Sequence, residues 1–229
     1  GERLRGFFDG SAAPTGFGSQ PPDGAMGSAL QGLSRRLWAD LPAGAHRRYA
    51  VVAAQSGDGA SALALGLARA AAASGLRTLL LDGDTGEKGL TARVIGRSGE
   101  GGGLDEVIEG RRTIAELAAP DAASPLHILP ASQASDQRSA LSVSQLAALQ
   151  AGLEAARVDY DVVVIDCPPP SGNARCRALT RLADETIVVV RRSTRLALLA
   201  SLASRLRQAG VRIAGAVVTC APGRFAAQA

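Results

Sequence analysis

The chain has 229 residues, a formal charge of +4, 46% hydrophobic residues and only 3% aromatic ones. That is enough for one sizeable α/β domain whose core is built from Ala, Leu and Val. Three cysteines, Cys167, Cys176 and Cys220, odd in number and unpaired in spacing, suit a reducing compartment better than a disulfide framework, and no apolar run approaches the roughly 20 residues that span a bilayer.

The start lacks a charged-then-apolar leader pattern, so the chain reads as cytoplasmic. Lys88 is the only lysine among 25 Lys+Arg, and the arginines are scattered along the chain. They read as solvated helix faces, and no nucleic-acid partner is expected. His46 and His127 lie far apart in the sequence, and no metal-ligand spacing is present.

Residues 1–27 are rich in Gly, Pro and Ser and read as a flexible arm carrying Phe7, Phe8 and Phe17. Residues 28–219 form the folded domain, and 220–229 form a short tail. Apolar residues at helical spacing (Leu30, Leu33, Leu37, Leu41) predict a first helix over 29–41, stopped by Pro42. Residues 49–54 form the first buried strand, 60–74 a small-residue helix capped by Gly75, and 76–81 the second strand. Short helices follow over 89–95, 103–109 and 113–118, with a mobile glycine loop over 96–103. Residues 126–129 form a strand and 142–157 a long helix. The β-branched run 160–166 predicts a strand covered on both faces. A helix over 174–182, a strand over 185–190, a helix over 194–208 and a strand over 211–218 complete the chain. Strands alternating with helices predict a three-layer α/β fold with a mostly parallel central sheet, the P-loop NTPase architecture.

The chemistry concentrates between Ala53 and Asp84. An apolar strand enters the turn Gln55-Ser56-Gly57-Asp58-Gly59, a helix opens at Ala60-Ser61-Ala62, and a second strand ends in Asp82-Gly83-Asp84. This is the strand–loop–helix–strand plan of a nucleotide site. Glycines let successive backbone N–H groups curl around phosphate oxygens, and the helix adds its positive end. The candidate phosphate-binding residues are therefore Gly57, Asp58, Gly59, Ala60, Ser61 and Ala62. Ser61 stands where a hydroxyl holds Mg²⁺. Asp82, Asp84 and Asp166 are the candidate catalytic carboxylates, and Ser61, Asp84 and Asp166 the candidate metal ligands. One residue departs from the pattern: Ala60 stands where a lysine bridges the terminal phosphates. Losing that charge-assisted hydrogen bond of about 1.5–3 kcal/mol weakens binding roughly ten- to a hundredfold. Turnover should suffer more, because the charge it stabilises grows in the transition state. Asp58 adds negative charge beside the cradle. Lys88, Arg191 or Arg192 could return a cation from outside the loop.

These segments resemble the bacterial tyrosine kinase (BY-kinase) family of capsule and exopolysaccharide assembly, within the MinD/ParA class of P-loop ATPases. The similarity covers about residues 28–219. Gln55 to Ser61 resembles the family's phosphate loop, Leu80-Leu81-Asp82-Gly83-Asp84 its Walker A′ segment, and Tyr160 to Pro169 its Walker B segment. Leu104 to Leu117, Ala183 to Val190 and Gly210 to Val218 resemble further family segments. The resemblance implies ATP or ADP, Mg²⁺, a membrane-embedded polysaccharide co-polymerase (chain-length regulator) as partner, ring-like homo-oligomers and a C-terminal tyrosine cluster. It also implies a location peripheral to the inner membrane through that partner. Four departures stand out: Ala60 for the lysine, Gly86 and Glu87 where arginines are usual, no tyrosine over 219–229, and Gln31, Ser34 and Leu37 at the spacing of the oligomerisation pattern. They predict a pseudokinase-like regulator. The rivals are an active ATPase or kinase with a relocated cation, and a MinD/ParA-type positioning ATPase of a secretion system.

Overall fold

Val162–Asp166 carries four consecutive β-branched side chains that only a strand covered on both faces can bury, and all five residues are buried. The computed structural model describes residues 5–8, 25–42, 44–84, 90–94, 102–132, 140–170 and 174–219. Its elements in chain order are β1 (Arg5–Phe8), α1 (Ala25–Trp38), β2 (Arg47–Ala53), α2 (Ala60–Ala73), β3 (Thr78–Asp82), α3 (Leu90–Val94), α4 (Leu104–Ile108), α5 (Ile114–Leu117), β4 (Ala119–Pro120), β5 (His127–Leu129), α6 (Val143–Ala155), β6 (Val162–Asp166), α7 (Ala174–Arg181), β7 (Glu185–Arg191), α8 (Leu196–Gln208) and β8 (Ile213–Thr219).

The strands form one sheet in the order β1-β8-β7-β2-β6-β3-β5-β4. Every neighbouring pair is parallel except β4–β5. Alternation sends Val51, Ala53, Leu80, Val162 and Val164 to one face, where α1 and α2 supply Leu30, Leu33, Leu63 and Leu67. Ala50, Val52, Leu79, Leu81, Val163 and Ile165 face the other way, against Leu104, Ile114, Leu149 and Leu179. Further along that face, Val188 and Val190 meet Leu202 and Leu206 of α8. The sheet is thus the middle of three layers, as expected.

Two elements were not predicted. Arg5–Phe8, inside the arm read as flexible, adds a parallel edge strand to β8. Ala119–Pro120 pairs antiparallel with β5 at the opposite edge, where proline's missing N–H costs no ladder bond. The rest of the arm before Ala25, the tail 220–229 and most of the 96–103 glycine loop lie outside the described residues. Helix ends follow the predicted caps. Gly75, at φ 88°, closes α2, with its N–H donating to Ala72 O (3.0 Å) and that of Leu76 to Ala71 O (3.2 Å). Among the described residues no helix is long and apolar enough to cross a membrane.

The two histidines, distant in sequence, both meet Tyr160 just before β6. His46 Nδ1 lies 2.8 Å from the Tyr160 carbonyl, and His127 Nδ1 lies 2.9 Å from its hydroxyl. This cluster sits at the amino edge of the sheet, opposite the loop that follows β2.

Candidate functional site

Because the central strands run parallel, their carboxyl ends emerge on one edge, where α/β folds bind ligands. The loop after β2, Asp82 ending β3, Asp166 ending β6, Arg191 ending β7 and Thr219 ending β8 all gather there. Gly57 and Gly59 adopt φ of 84° and 94°, the left-handed region that a side chain would strain. The helix α2 opens directly from Gly59 with no side-chain cap. Its first repeating bond is Leu63 N–H to Gly59 O at 2.9 Å. Among the described residues the N–H groups of Gly57, Gly59, Ala60, Ser61 and Ala62 have no protein acceptor. Unpaired donors at the start of a 14-residue helix are the chemistry that holds a phosphate.

The carboxylates beside the loop are placed by strand register. Asp82 and Asp166 are direct neighbours across β3–β6, and both are fully buried. Oδ2 of Asp82 accepts the Thr91 N–H (2.7 Å) and the Thr91 hydroxyl (2.6 Å), and Oδ1 accepts the Asp84 N–H (3.0 Å). Burial pushes the Asp82 carboxyl up to about 6 against these donors, and the charge of Asp84 adds to the rise. Asp166 stands well above the ordinary carboxylate range, through burial first and then the charge of Asp82. Among the described residues neither Asp166 oxygen accepts a hydrogen bond, although the Ser61 hydroxyl is near enough to oppose the rise. Two buried acceptor oxygens with no strong donor fit a divalent cation. Asp166 and Ser61 are thus suited to hold Mg²⁺ with its waters. β3 stops at Asp82, so strand alternation does not carry Asp84 to the same side. Asp84 is half-buried one step beyond, with its backbone turned back to Asp82.

Ala60 is buried at the first turn of α2, 7% exposed, with a methyl group in the lysine position. Asp58 does not face the cradle as an added charge. Its side chain is buried within the loop, where Oδ2 accepts the Gln55 N–H (2.8 Å) and Oδ1 lies 3.3 Å from Arg191 Nε. Burial raises its carboxyl, and the Gln55 N–H and Arg191 oppose that rise. Arg191 also donates through Nη2 to Gly57 O. Arg192 is exposed, and its N–H donates to Thr219 O (3.0 Å). Lys88, Gly86 and Glu87 lie outside the described residues.

Sequence reasoning missed Thr91, which orients Asp82 while its Oγ1 accepts the Ala131 N–H (2.8 Å). It missed Thr219, whose hydroxyl donates to Asp58 O (2.8 Å), and the nearly buried Arg175–Asp105 pair (2.7 Å) that ties α7 to α4. Nothing in residue spacing marks a threonine that acts across elements, Thr91 from α3 and Thr219 from the end of β8. Gly83 carried a legible signal between its two aspartates. Its N–H donates to Asp166 O (2.9 Å), and a Cβ there would meet that same oxygen at 2.7 Å.

Residues 47–210 match the AAA_31 family, described as an AAA domain. The chain belongs to this AAA_31 family. The chain is also 34% identical over 145 residues to the succinoglycan biosynthesis transport protein ExoP of Rhizobium meliloti (strain 1021), covering 63% of this chain and 18% of that protein. The AAA_31 chain therefore spans less than a fifth of this relative. The kinase domain of the Escherichia coli tyrosine kinase ETK superposes with a TM-score of 0.73 at 21% identity, covering 90% of this chain and 79% of that one. The septum site-determining protein MinD of Pyrococcus horikoshii, complexed with Mg-ADP, superposes with a TM-score of 0.59 at 20% identity, covering 76% and 70%. At these identities the structures speak for the fold. Together with the succinoglycan relative they bear out the resemblance to BY-kinases and MinD-like P-loop ATPases read from the motifs.

Proposed function

We propose that this AAA_31 chain is a nucleotide-binding regulatory domain of exopolysaccharide synthesis and export, with impaired ATP hydrolysis. The observation that carries this reading is the pairing of an open phosphate cradle with a buried methyl at Ala60 and with Arg191 engaged by Asp58 and Gly57. The backbone N–H groups of Gly57, Gly59, Ala60, Ser61 and Ala62 would hold the phosphates, that of Asp58 being spent on Gln55 O (3.2 Å), and Ser61 and Asp166 would hold Mg²⁺. The metal supplies charge neutralisation of the phosphate oxygens. Without a lysine, the groups left to stabilise the growing transition-state charge are the backbone and the metal.

A second feature argues against self-phosphorylation within these residues. The chain has two tyrosines, and both are buried with their hydroxyls occupied. Tyr49 OH donates to Leu37 O (2.8 Å), and Tyr160 OH meets His127. The regulator would act in the cytoplasm, held at the inner membrane by a membrane-embedded chain-length regulator and assembling with further copies. That partner reading rests on the resemblance to ExoP and the BY-kinases.

Incubation with ATP and Mg²⁺ tests the proposal. Binding without sustained turnover is expected. Robust turnover that Asp82→Ala abolishes would overturn it in favour of an active enzyme with a relocated cation. The exposure of the Arg191 side chain, 42%, keeps that second reading specific, since the guanidinium lies on the loop and reaches solvent.

A further inference from the structure

We propose that Arg191 is the positioning residue of the phosphate loop, a bracket from the end of β7 that keeps the cradle curved in a chain without the loop lysine. The inference rests on the reading of this loop as a phosphate site.

The loop has one side chain that closes it from within. Asp58 Oδ2 accepts the Gln55 N–H at 2.8 Å, which joins the two ends of the turn. Its other oxygen faces Arg191 Nε at 3.3 Å, and the Asp58 side chain is only 1% exposed. A buried carboxylate without a counterion is strongly destabilising, so the guanidinium is a condition of this loop shape. Arg191 makes a second contact, from Nη2 to the Gly57 carbonyl. One planar group thus meets a loop side chain as an ion pair and the loop main chain as a hydrogen bond, a reach that suits the rigid guanidinium better than an ammonium. A Cβ on Gly57 would lie 2.9 Å from Nη2, so glycine serves this approach as well as the positive φ.

The bracket is itself braced. The Arg191 N–H donates to Thr194 Oγ1 at 3.1 Å, which fixes the exit of β7. Thr219, ending β8, holds the Asp58 carbonyl at 2.8 Å. Across a trans peptide, C=O and N–H point in opposite directions. Holding the Asp58 oxygen toward β8 therefore aims the Gly59 N–H away from β8, where it stands unpaired among the described residues. The strand ends thus orient donors that the loop sequence alone leaves free to turn.

The test uses Arg191→Ala, Arg191→Lys, Asp58→Asn and the Arg191→Ala/Asp58→Asn double variant of the full chain. The first readout is amide hydrogen exchange over residues 54–63 without nucleotide. Arg191→Ala and Asp58→Asn should each speed exchange there by about tenfold or more, with the double variant no faster than either single one. Arg191→Lys should recover part of the protection. The second readout is calorimetric affinity for Mg-ADP and Mg-ATP, which should fall together by about tenfold in Arg191→Ala. Unchanged exchange, additive effects or tighter binding would overturn the proposal. So would a loss confined to ATP, which would make Arg191 a direct grip on the terminal phosphate. A wild-type protein with no nucleotide affinity sinks the phosphate-site reading, and the exchange experiment then decides the bracket by itself.

Discussion

Replacing Ala60 with lysine asks the site directly whether it is still shaped for phosphate. The backbone is already in place: Gly57 and Gly59 hold φ of 84° and 94°, and the first N–H groups of α2 are unpaired among the described residues. Asp58, two residues before Ala60, is buried and engaged by Arg191, so it is not free to neutralise a new ammonium. The gain should then be close to one charge-assisted hydrogen bond, about 1.5–3 kcal/mol, or roughly ten- to a hundredfold in affinity. The assay is calorimetry with ADP and ATP, with and without Mg²⁺, on wild type and Ala60→Lys at matched thermal stability. The triphosphate should gain more than the diphosphate, and turnover should rise more than affinity. A folded Ala60→Lys protein with unchanged affinity for both nucleotides would refute the reasoning. It would mean that the loop, although curved, no longer presents its donors to an anion.

Metal-free stability should fall as pH rises through the titration of Asp82. Its folded carboxyl is pushed from 3.8 to about 6, so the protonated form favours folding below about pH 4, and that advantage is lost above about pH 6. The loss is about 3 kcal/mol. Thermal melts from pH 4.5 to 7.5 should show the decline, reduced but not abolished by Asp82→Asn because burial also raises Asp166, and offset by Mg²⁺. Gly83→Ala forces a methyl to within 2.7 Å of the Asp166 carbonyl and against Leu179, which should cost about 1–3 kcal/mol in urea unfolding and disturb the Asp82–Asp166 register. Arg69→Ala takes two guanidinium bonds of 2.9 Å and the counterion from the buried Asp121 carboxylate, leaving it the Ser124 hydroxyl (2.7 Å). Equilibrium unfolding should register about 3–5 kcal/mol of lost stability.

What local pattern determined is clear from particular elements. The β-branched run ending at Asp166 had to be a doubly covered strand, and the apolar spacing of Leu30, Leu33 and Leu37 had to be a helix. Gly75 ends α2 as a left-handed cap, and Gly57 and Gly59 shape the loop, because these are backbone requirements that one residue type meets best. The family resemblance followed from the order of those pieces. Short pairings were not legible: Ala119–Pro120 carries a proline, and Arg5–Phe8 lies in a Gly/Pro/Ser-rich stretch, so neither has a strand signature. An edge strand of two to four residues is specified by the partner it pairs with, more than by its own propensity.

Only the tertiary structure decided how the site is wired. Asp58 turned inward, Arg191 closed on it, Thr91 reached Asp82, Thr219 took the Asp58 carbonyl, and the two histidines converged on Tyr160. Apart from the local turn by which Asp58 accepts the Gln55 N–H, these contacts join residues from different elements, and they depend on how the strands are ordered and where the helices and loops between them return. A period of two or 3.6 residues reports which face a side chain occupies along its own element. It carries no information about which foreign atom waits there, and that is the part the folded sheet supplied.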